Sequence, residues 1–583
     1  MTRRPTRAAA LTATVCLALA ACSGEDGPED AATPTPEPTP ERAELQQPAD
    51  ATTVLPGGDG ELALAASRTF FAEAPVVVLA DDAEPASQLR ASSAALALGA
   101  PVLLDDGGTS LTEELGRLGA GWVLTVGDAE LPDEAGDVVA VPAPQDDEDL
   151  AETLALAAGE PVEVADGGEV AAVVALERGA LTPLSRVAGA PAATEGASED
   201  ATSDETPTAS DDATADETAT AGETATTGAD AELPPTELAD PLTATLALTT
   251  GAPQELLATA TARAAGADVA VVPGGDPRAT SESVTAVSEA GAEHVVGLGD
   301  AFGDADTLDW RVATAATGVE LPGGGQLVFP GKRYVALYGT PSTSALGVLG
   351  EQGVPETIAR AQEHARPYEA LVDDTVVPAL EVIATVASAG AGADGNYSNE
   401  LPPESLRPII DAAGEAGQYV VLDLQPGRSS FLEQAQRYAE LLALPHVGLA
   451  LDPEWNLGPN DRHMVRIGSV TAQEVNEVVH WLADFTRERN LPQKMLVLHQ
   501  FQVRMIQTVP EVDLSRSELA VLIHADGQGG QGAKQGTWRT LHQHGPDIEW
   551  WGWKNFYDED VPMLTPEQTI SQVDPVPHFI TYQ

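Results

Sequence analysis

Between residues 334 and 582 the chain repeats one pattern eight times, and that recurrence limits the fold more than anything else in the sequence. Short apolar runs fall at 334–338, 380–386, 419–425, 447–454, 495–501, 519–526, 548–556 and 579–582. Amphipathic stretches at 355–368, 403–414, 430–444 and 471–488 separate several of them. Buried strands alternating with helices require a parallel sheet, and eight such units over about 250 residues predict a (β/α)8 barrel. The sequence ends at Gln583, just after the eighth run. A segment from the preceding residues is therefore expected to cover the eighth strand, with tight docking between domains.

The fourth run reads Val-Gly-Leu-Ala-Leu-Asp-Pro-Glu-Trp over 447–455. With a two-residue side-chain period, Val447, Leu449 and Leu451 share one face, while Gly448, Ala450, Asp452 and Glu454 share the other. The small residues suit a crowded barrel interior, and the two carboxylates would then emerge at the C-terminal mouth, where such barrels carry their chemistry. A plain Asp-Pro turn with a solvated Glu454 is the alternative. Other runs also end in polar residues: Tyr338, Asp423 with Gln425, His499 with Gln500, His524 with Asp526, and Lys554 with Asn555. Six of the eight tryptophans lie from Trp455 to Trp553. Flat aromatic faces suit sugar rings, so Trp455, Trp551 and Trp553, with Tyr338, His499, His524 and Lys554, are the expected substrate contacts. Core packing is the competing role for the tryptophans of the seventh run.

The end of the fourth run resembles glycoside hydrolase family 18, whose fourth strand ends Asp-x-Asp-x-Glu-Trp or similar. Asp452 and Glu454 fall on the last Asp and the catalytic Glu of that pattern; Ala450 and Val447 stand at its two earlier Asp positions. Ile523-His524-Ala525-Asp526 stands where that family has Met-x-Tyr-Asp. The resemblance implies a glycosidase-like barrel with Glu454 as general acid. A strand would separate the Asp452 and Glu454 Cα atoms by roughly 6.6 Å. Asp526 or Asp423 would supply a second carboxylate from a facing strand, as glycoside hydrolysis requires. Two other readings stand beside this one. His499, His524, Asp423, Asp452 and Asp526 are the right residue types for a metal-dependent hydrolase, although Lys554 would repel a cation and no metal is expected in the preferred reading. A non-catalytic wall-binding module needs no acid at all. No cofactor is expected, since neither a dinucleotide nor a phosphate-loop glycine motif is present.

Upstream, apolar runs at 76–79, 101–104 and 122–126 alternate with helical stretches at 85–98 and 111–118. Gly99-Ala100-Pro101-Val102-Leu103-Leu104 is answered by 266–271, and 122–129 by 294–301, which predicts a duplicated α/β unit. Residues 94–128, with Leu-Gly-Ala-Pro-Val-Leu-Leu and Val-Gly-Asp, resemble the bacterial type 2 cell-wall-binding repeat. That resemblance implies polysaccharide or peptidoglycan as partner.

Arg3, Arg4 and Arg7 precede an apolar run from Ala8 to Ala21, the order of an export signal. Leu19-Ala20-Ala21-Cys22 resembles a lipobox, so cleavage before Cys22 and its lipidation would anchor the chain on the outer face of the cell membrane. Cys16 leaves with the signal, so the mature chain would hold no free thiol. With 91 acidic and 29 basic residues the net charge is −62, which excludes nucleic acid as the main partner.

The expected class is α/β: duplicated small parallel α/β units followed by a C-terminal (β/α)8 TIM-like barrel. The expected divisions are 1–21 signal, 22–58 Pro/Glu-rich tether, 59–192 first unit, 193–236 acidic Thr/Ala-rich disordered insertion, 237–325 second unit and 326–583 barrel.

Overall fold

A computed structural model describes residues 39–105, 108–187 and 231–583. The export signal, Cys22, the Pro-rich centre of the tether and nearly all of the acidic insertion lie outside the described residues. Among the described residues no helix is long and apolar enough to cross a membrane.

Eight parallel strands close into a barrel. In chain order they are Lys332–Gly339, Thr375–Ala387, Tyr419–Leu424, Val447–Leu451, Lys494–Gln500, Leu519–Ala525, Trp550–Asn555 and Phe579–Tyr582. The first strand pairs with both the second and the eighth, which closes the ring. All eight predicted runs are strands. Side-chain alternation sorts each strand between two cores. Val447, Leu449 and Leu451 join the outer apolar layer, whereas Ala450, Val421, Val497 and Leu522 fill the interior. Gly448 is needed for a close approach, because a Cβ there would come within 2.6 Å of the Met495 carbonyl oxygen on the next strand.

Helices Val354–Ala365, Pro403–Glu415, Phe431–Arg437, Ala472–Arg487, Gln531–His544 and Pro566–Gln572 fall in the connections between strands. The helix Ala472–Arg487 starts at a capping box between Thr471 and Glu474 and buries Val475, Val478, Val479 and Leu482 at helical spacing. The regular alternation fails once, between strands five and six. That connection holds two 3-10 turns, Val503–Met505 and Val509–Glu511, around a two-residue strand, Ile506–Gln507. Met505, Ile506, Val509 and Val512 are nevertheless buried, so irregular chain does the covering there. Met505, Val509 and Val512 fall at helical spacing, but Pro510 and the left-handed backbone of Thr508, φ 56°, break the chain into turns.

The eighth strand is covered by the barrel itself, contrary to expectation. The Tyr368 and Tyr582 hydroxyls are hydrogen-bonded at 2.6 Å, and the His364 ring lies 5.3 Å from that of Tyr582. The preceding residues dock instead at the opposite, N-terminal end of the strands. There Tyr334 donates its hydroxyl to the Val328 carbonyl at 3.0 Å, and Phe329 stacks on Trp550 at 5.0 Å. The guanidinium groups of Arg278 and Arg487 lie 4.4 and 5.0 Å from the Trp310 ring, joining the upstream helix Ala305–Ala315 to the barrel helix Ala472–Arg487.

Two four-stranded parallel sheets precede the barrel. In the first, Val76–Asp81 lies between Val102–Asp105 and Trp122–Val126, with Val139–Pro142 beyond. In the second, Thr245–Thr249 lies between Asp268–Val271 and His294–Leu298, and the fourth place is taken by Thr52–Leu55. Residues 44–45 and 52–55 are thus strands, where the sequence suggested tether. The apolar Val54 and Leu55 find a core, which a tether does not offer. At the other gap, Ala231 and Leu233 pack on the first core and Thr236 bridges to Glu41, so the insertion ends earlier than residue 236.

Candidate functional site

Each barrel strand contributes one inward polar side chain near its C-terminal end: Tyr338, Glu381, Asp423, Asp452, His499, His524, Lys554 and Thr581. All are buried. They lie above the apolar interior because alternation carries the same strand face from Ala336, Ala379, Val421, Ala450, Val497 and Leu522 up to them. Eight polar residues converging at one end of a closed barrel have no packing role that apolar residues would not fill better.

His499 organises the centre. Its Nε2 lies 2.7 Å from Glu381 Oε1 and 3.9 Å from Asp423 Oδ1, and its Nδ1 lies 3.0 Å from Asp526 Oδ2. Burial opposes a charge on this ring, yet Glu381 and Asp526 outweigh it and hold the imidazolium well above the usual histidine range. Asp526 is correspondingly held below the usual carboxylate range, since the hydrogen bond and charge of His499 overcome burial. His524, 4.9 Å from the His499 ring, is pushed well down by burial and by the cations His499 and Lys554. Tyr338 donates its hydroxyl to Asp423 Oδ2 at 2.8 Å and lies under the Lys554 ammonium, 3.3 Å from the ring centroid.

The other carboxylates go the opposite way. Burial raises Asp423 to about 6, despite His499 nearby. Burial and then Glu454 push Asp452 well above its ordinary value. Glu454 is raised to about 7 by burial and next by the charge of Asp526. Glu454 does not extend the strand, as the parity argument supposed: Pro453–Trp455 forms a 3-10 turn after Asp452. Proline at its first position favours that turn, and the 6.6 Å strand spacing does not apply. The turn still leaves Glu454 partly exposed beside the mouth.

No family model matches the chain, and no curated protein does. Among solved structures it is similar to Cwp6 from Clostridium difficile, at 14% identity and a TM-score of 0.31 over 59% of this chain. It is also similar to Cwp8 from Clostridium difficile, at 13% identity and a TM-score of 0.30 over 46%. The chain covers 64% and 52% of those two proteins, less than two thirds of either. Likeness of that extent carries no argument here about fold or activity.

Trp455 borders a cleft of about 280 Å³ lined also by Glu454, His463, Met464, Val465, Arg466 and Ile467. Its ring is 5.4 Å from that of His463, whose Nε2 is 3.0 Å from the Tyr397 carbonyl oxygen. Tyr397 has the left-handed backbone, φ 61°, and lies 4.4 Å beneath the Arg428 guanidinium. An aromatic group thus stands next to Glu454. Trp551 and Trp553 do not belong to it. They are on the outer face of the seventh strand, 5.8 and 5.7 Å from the Trp538 ring, in the layer under the helix Gln531–His544. Parity explains the correction: with Lys554 inward, Trp551 and Trp553 must point outward. Gln500 and Asn555 also point away, the former donating to the Gln502 and Val503 carbonyls and the latter accepting from Trp553 Nε1.

Sequence reasoning did not single out Glu381. The signal was available, since Glu381 alone carries charge in Thr375–Ala387 and shares parity with the inward Val377 and Ala379. Among the described residues, Glu381, His499 and His524 are the group whose side chains converge closely enough to hold a metal ion.

Proposed function

We propose that the barrel mouth is the acid–base site of a carbohydrate-directed hydrolase, with Glu454 as proton donor to a glycosidic oxygen and Asp526 as the ionised carboxylate. The observation that carries this reading is the opposite displacement of the two groups. Glu454, raised to about 7, is about half protonated at neutral pH, while Asp526 is held ionised by His499. Two carboxyls driven apart by their surroundings divide acid and base work between them. The Trp455 and His463 rings beside Glu454 offer flat faces to a sugar. Asp452 is buried next to Glu454, whose charge disfavours the ionisation of Asp452; Asp423 fixes Tyr338 under Lys554.

In the same reading the chain is held at the outer face of the cell membrane by a lipid on Cys22. Its upstream α/β units bring the barrel to cell-wall polysaccharide, and it has no nucleic-acid partner. The first support is the signal and lipobox order, the second the repeat-like residues 94–128, and the third the net charge of −62.

The test is a screen of cell-wall and storage polysaccharides with wild type, followed by Glu454→Gln on any substrate cleaved. Turnover should fall about a hundredfold or more while glycan binding persists, because glutamine keeps the shape but cannot release a proton. Wild type that binds a glycan without cleaving any member of the panel, with Glu454→Gln binding equally, would replace this reading with a binding module.

A further inference from the structure

Glu381, His499 and His524 each present a ligand atom, and the three atoms lie within 4.8 Å of one another with all three side chains fully buried. The hydrogen bonds around the two imidazoles orient both rings toward Glu381. Asp526 Oδ2 lies 3.0 Å from His499 Nδ1 and Glu381 Oε1 lies 2.7 Å from Nε2, so a metal ion between Glu381 and His499 would take the place of the Nε2 proton. Thr581 Oγ1 lies 3.2 Å from His524 Nε2 and holds that side of the ring, while Nδ1 has no hydrogen-bond partner. Metal-ligating histidines have the second ring nitrogen held by a neighbour in this way. Glu381 Oε2 also has no hydrogen-bond partner, an expensive condition for a buried carboxylate.

Charge points in the same direction. Glu381, Asp423, Asp452, Glu454 and Asp526 crowd a mouth whose lysine, Lys554, sits against the Tyr338 ring.

We propose that Glu381, His499 and His524 bind one divalent transition-metal ion of the zinc type, with Asp526 and Thr581 as positioning residues for the two imidazoles. Two imidazoles and a carboxylate are a ligand set suited to zinc, and cis ligands of such an ion lie about 3 to 3.5 Å apart, within a small side-chain movement of the present arrangement. Three protein ligands leave a fourth place open. The sequence argument against a metal rested on repulsion by Lys554, whose ammonium lies over the Tyr338 ring; the ligands come from strands two, five and six.

The test is zinc titration of the full chain in detergent after removal of metal with EDTA, with cobalt substitution as a spectroscopic check. One equivalent of zinc per chain is expected, together with a visible cobalt band from mixed nitrogen and oxygen ligands. Glu381→Gln and His524→Asn should each weaken zinc binding at least tenfold, and the nearly isosteric Thr581→Val about tenfold, with circular dichroism reporting whether each variant is folded. The inference is overturned by wild type that takes up no stoichiometric zinc. It is overturned equally by wild-type affinity in the folded ligand variants, which would assign the ion to the acidic surface. Should both ligand variants fail to fold, undiminished affinity in Thr581→Val sinks it. The titration needs no substrate, so its failure is separate from failure of the hydrolase reading, which Glu454→Gln tests.

Discussion

Asp452 and Asp526 are both buried carboxylates at the same mouth, and their surroundings make opposite predictions for stability. Asp452 is desolvated and faces Glu454, so its charge opposes folding; Asp526 has the His499 partner. Asp452→Asn should therefore raise the thermal midpoint of the metal-free protein at pH 7.5, by about 1 to 3 kcal/mol in stability, and Asp526→Asn should lower it by about 3 kcal/mol. Calorimetry of the two variants checks both signs. Glu454 adds a pH dependence. Its folded value of about 7 lies above the ordinary 4.5, so its favourable contribution is full below pH 4.5 and is lost as pH rises through 7. The midpoint of Glu454→Gln minus that of wild type should accordingly grow between pH 5 and pH 8; a flat difference would contradict the raised value. At this scale the sequence disclosed much of the site, because polar residues after apolar alternation mark strand ends. Glu381 escaped because it stands alone among apolar neighbours, and Tyr397 and His463 because loop positions follow no period.

At the scale of elements, the strands were readable and the connections less so. Period-two alternation identifies all eight barrel strands, since both the interior and the outer layer must be filled. The chain between strands five and six covers its share of the barrel without an α-helix, although Met505, Val509 and Val512 keep helical spacing, so periodicity alone misleads there. The Asp452-Pro453 step shows the same limit at shorter range, where a turn replaces two further strand residues. Strand four carries the sharpest steric demand. A Cβ on Gly448 would meet Met495 backbone and the Tyr419 hydroxyl at 2.6 and 3.0 Å. Gly448→Ala should lower stability by about 1 to 3 kcal/mol by pushing strands four and five apart, measured by chemical denaturation. Because the next inward position but one is Asp452, a displaced strand should also weaken activity on any glycan that wild type cleaves.

On the scale of the whole molecule, the acidic insertion and the ordered residues around it separate cleanly by composition. Residues 195–228 combine Ala, Thr and acids without a lysine or arginine, a composition poor in the large apolar side chains that offset chain entropy. Deleting 195–228 while keeping Ala231 and Leu233 should leave the thermal midpoint unchanged, whereas extending the deletion through Leu233 should lower it. Long-range pairing was the part least available from sequence, because nothing local to Thr52–Leu55 names its partner.

That pairing sets an order of events for a chain synthesised N-terminus first. The segment Thr52–Leu55 emerges early, yet its register partners Val295–Leu298 emerge only after the entire first sheet and the acidic insertion have passed. The first sheet contains its own four strands and has no such wait. The second sheet closes last and non-locally, a slow class of contact. Until then the apolar strand Thr52–Leu55 waits unpaired, and any chaperone serving this protein has its client there.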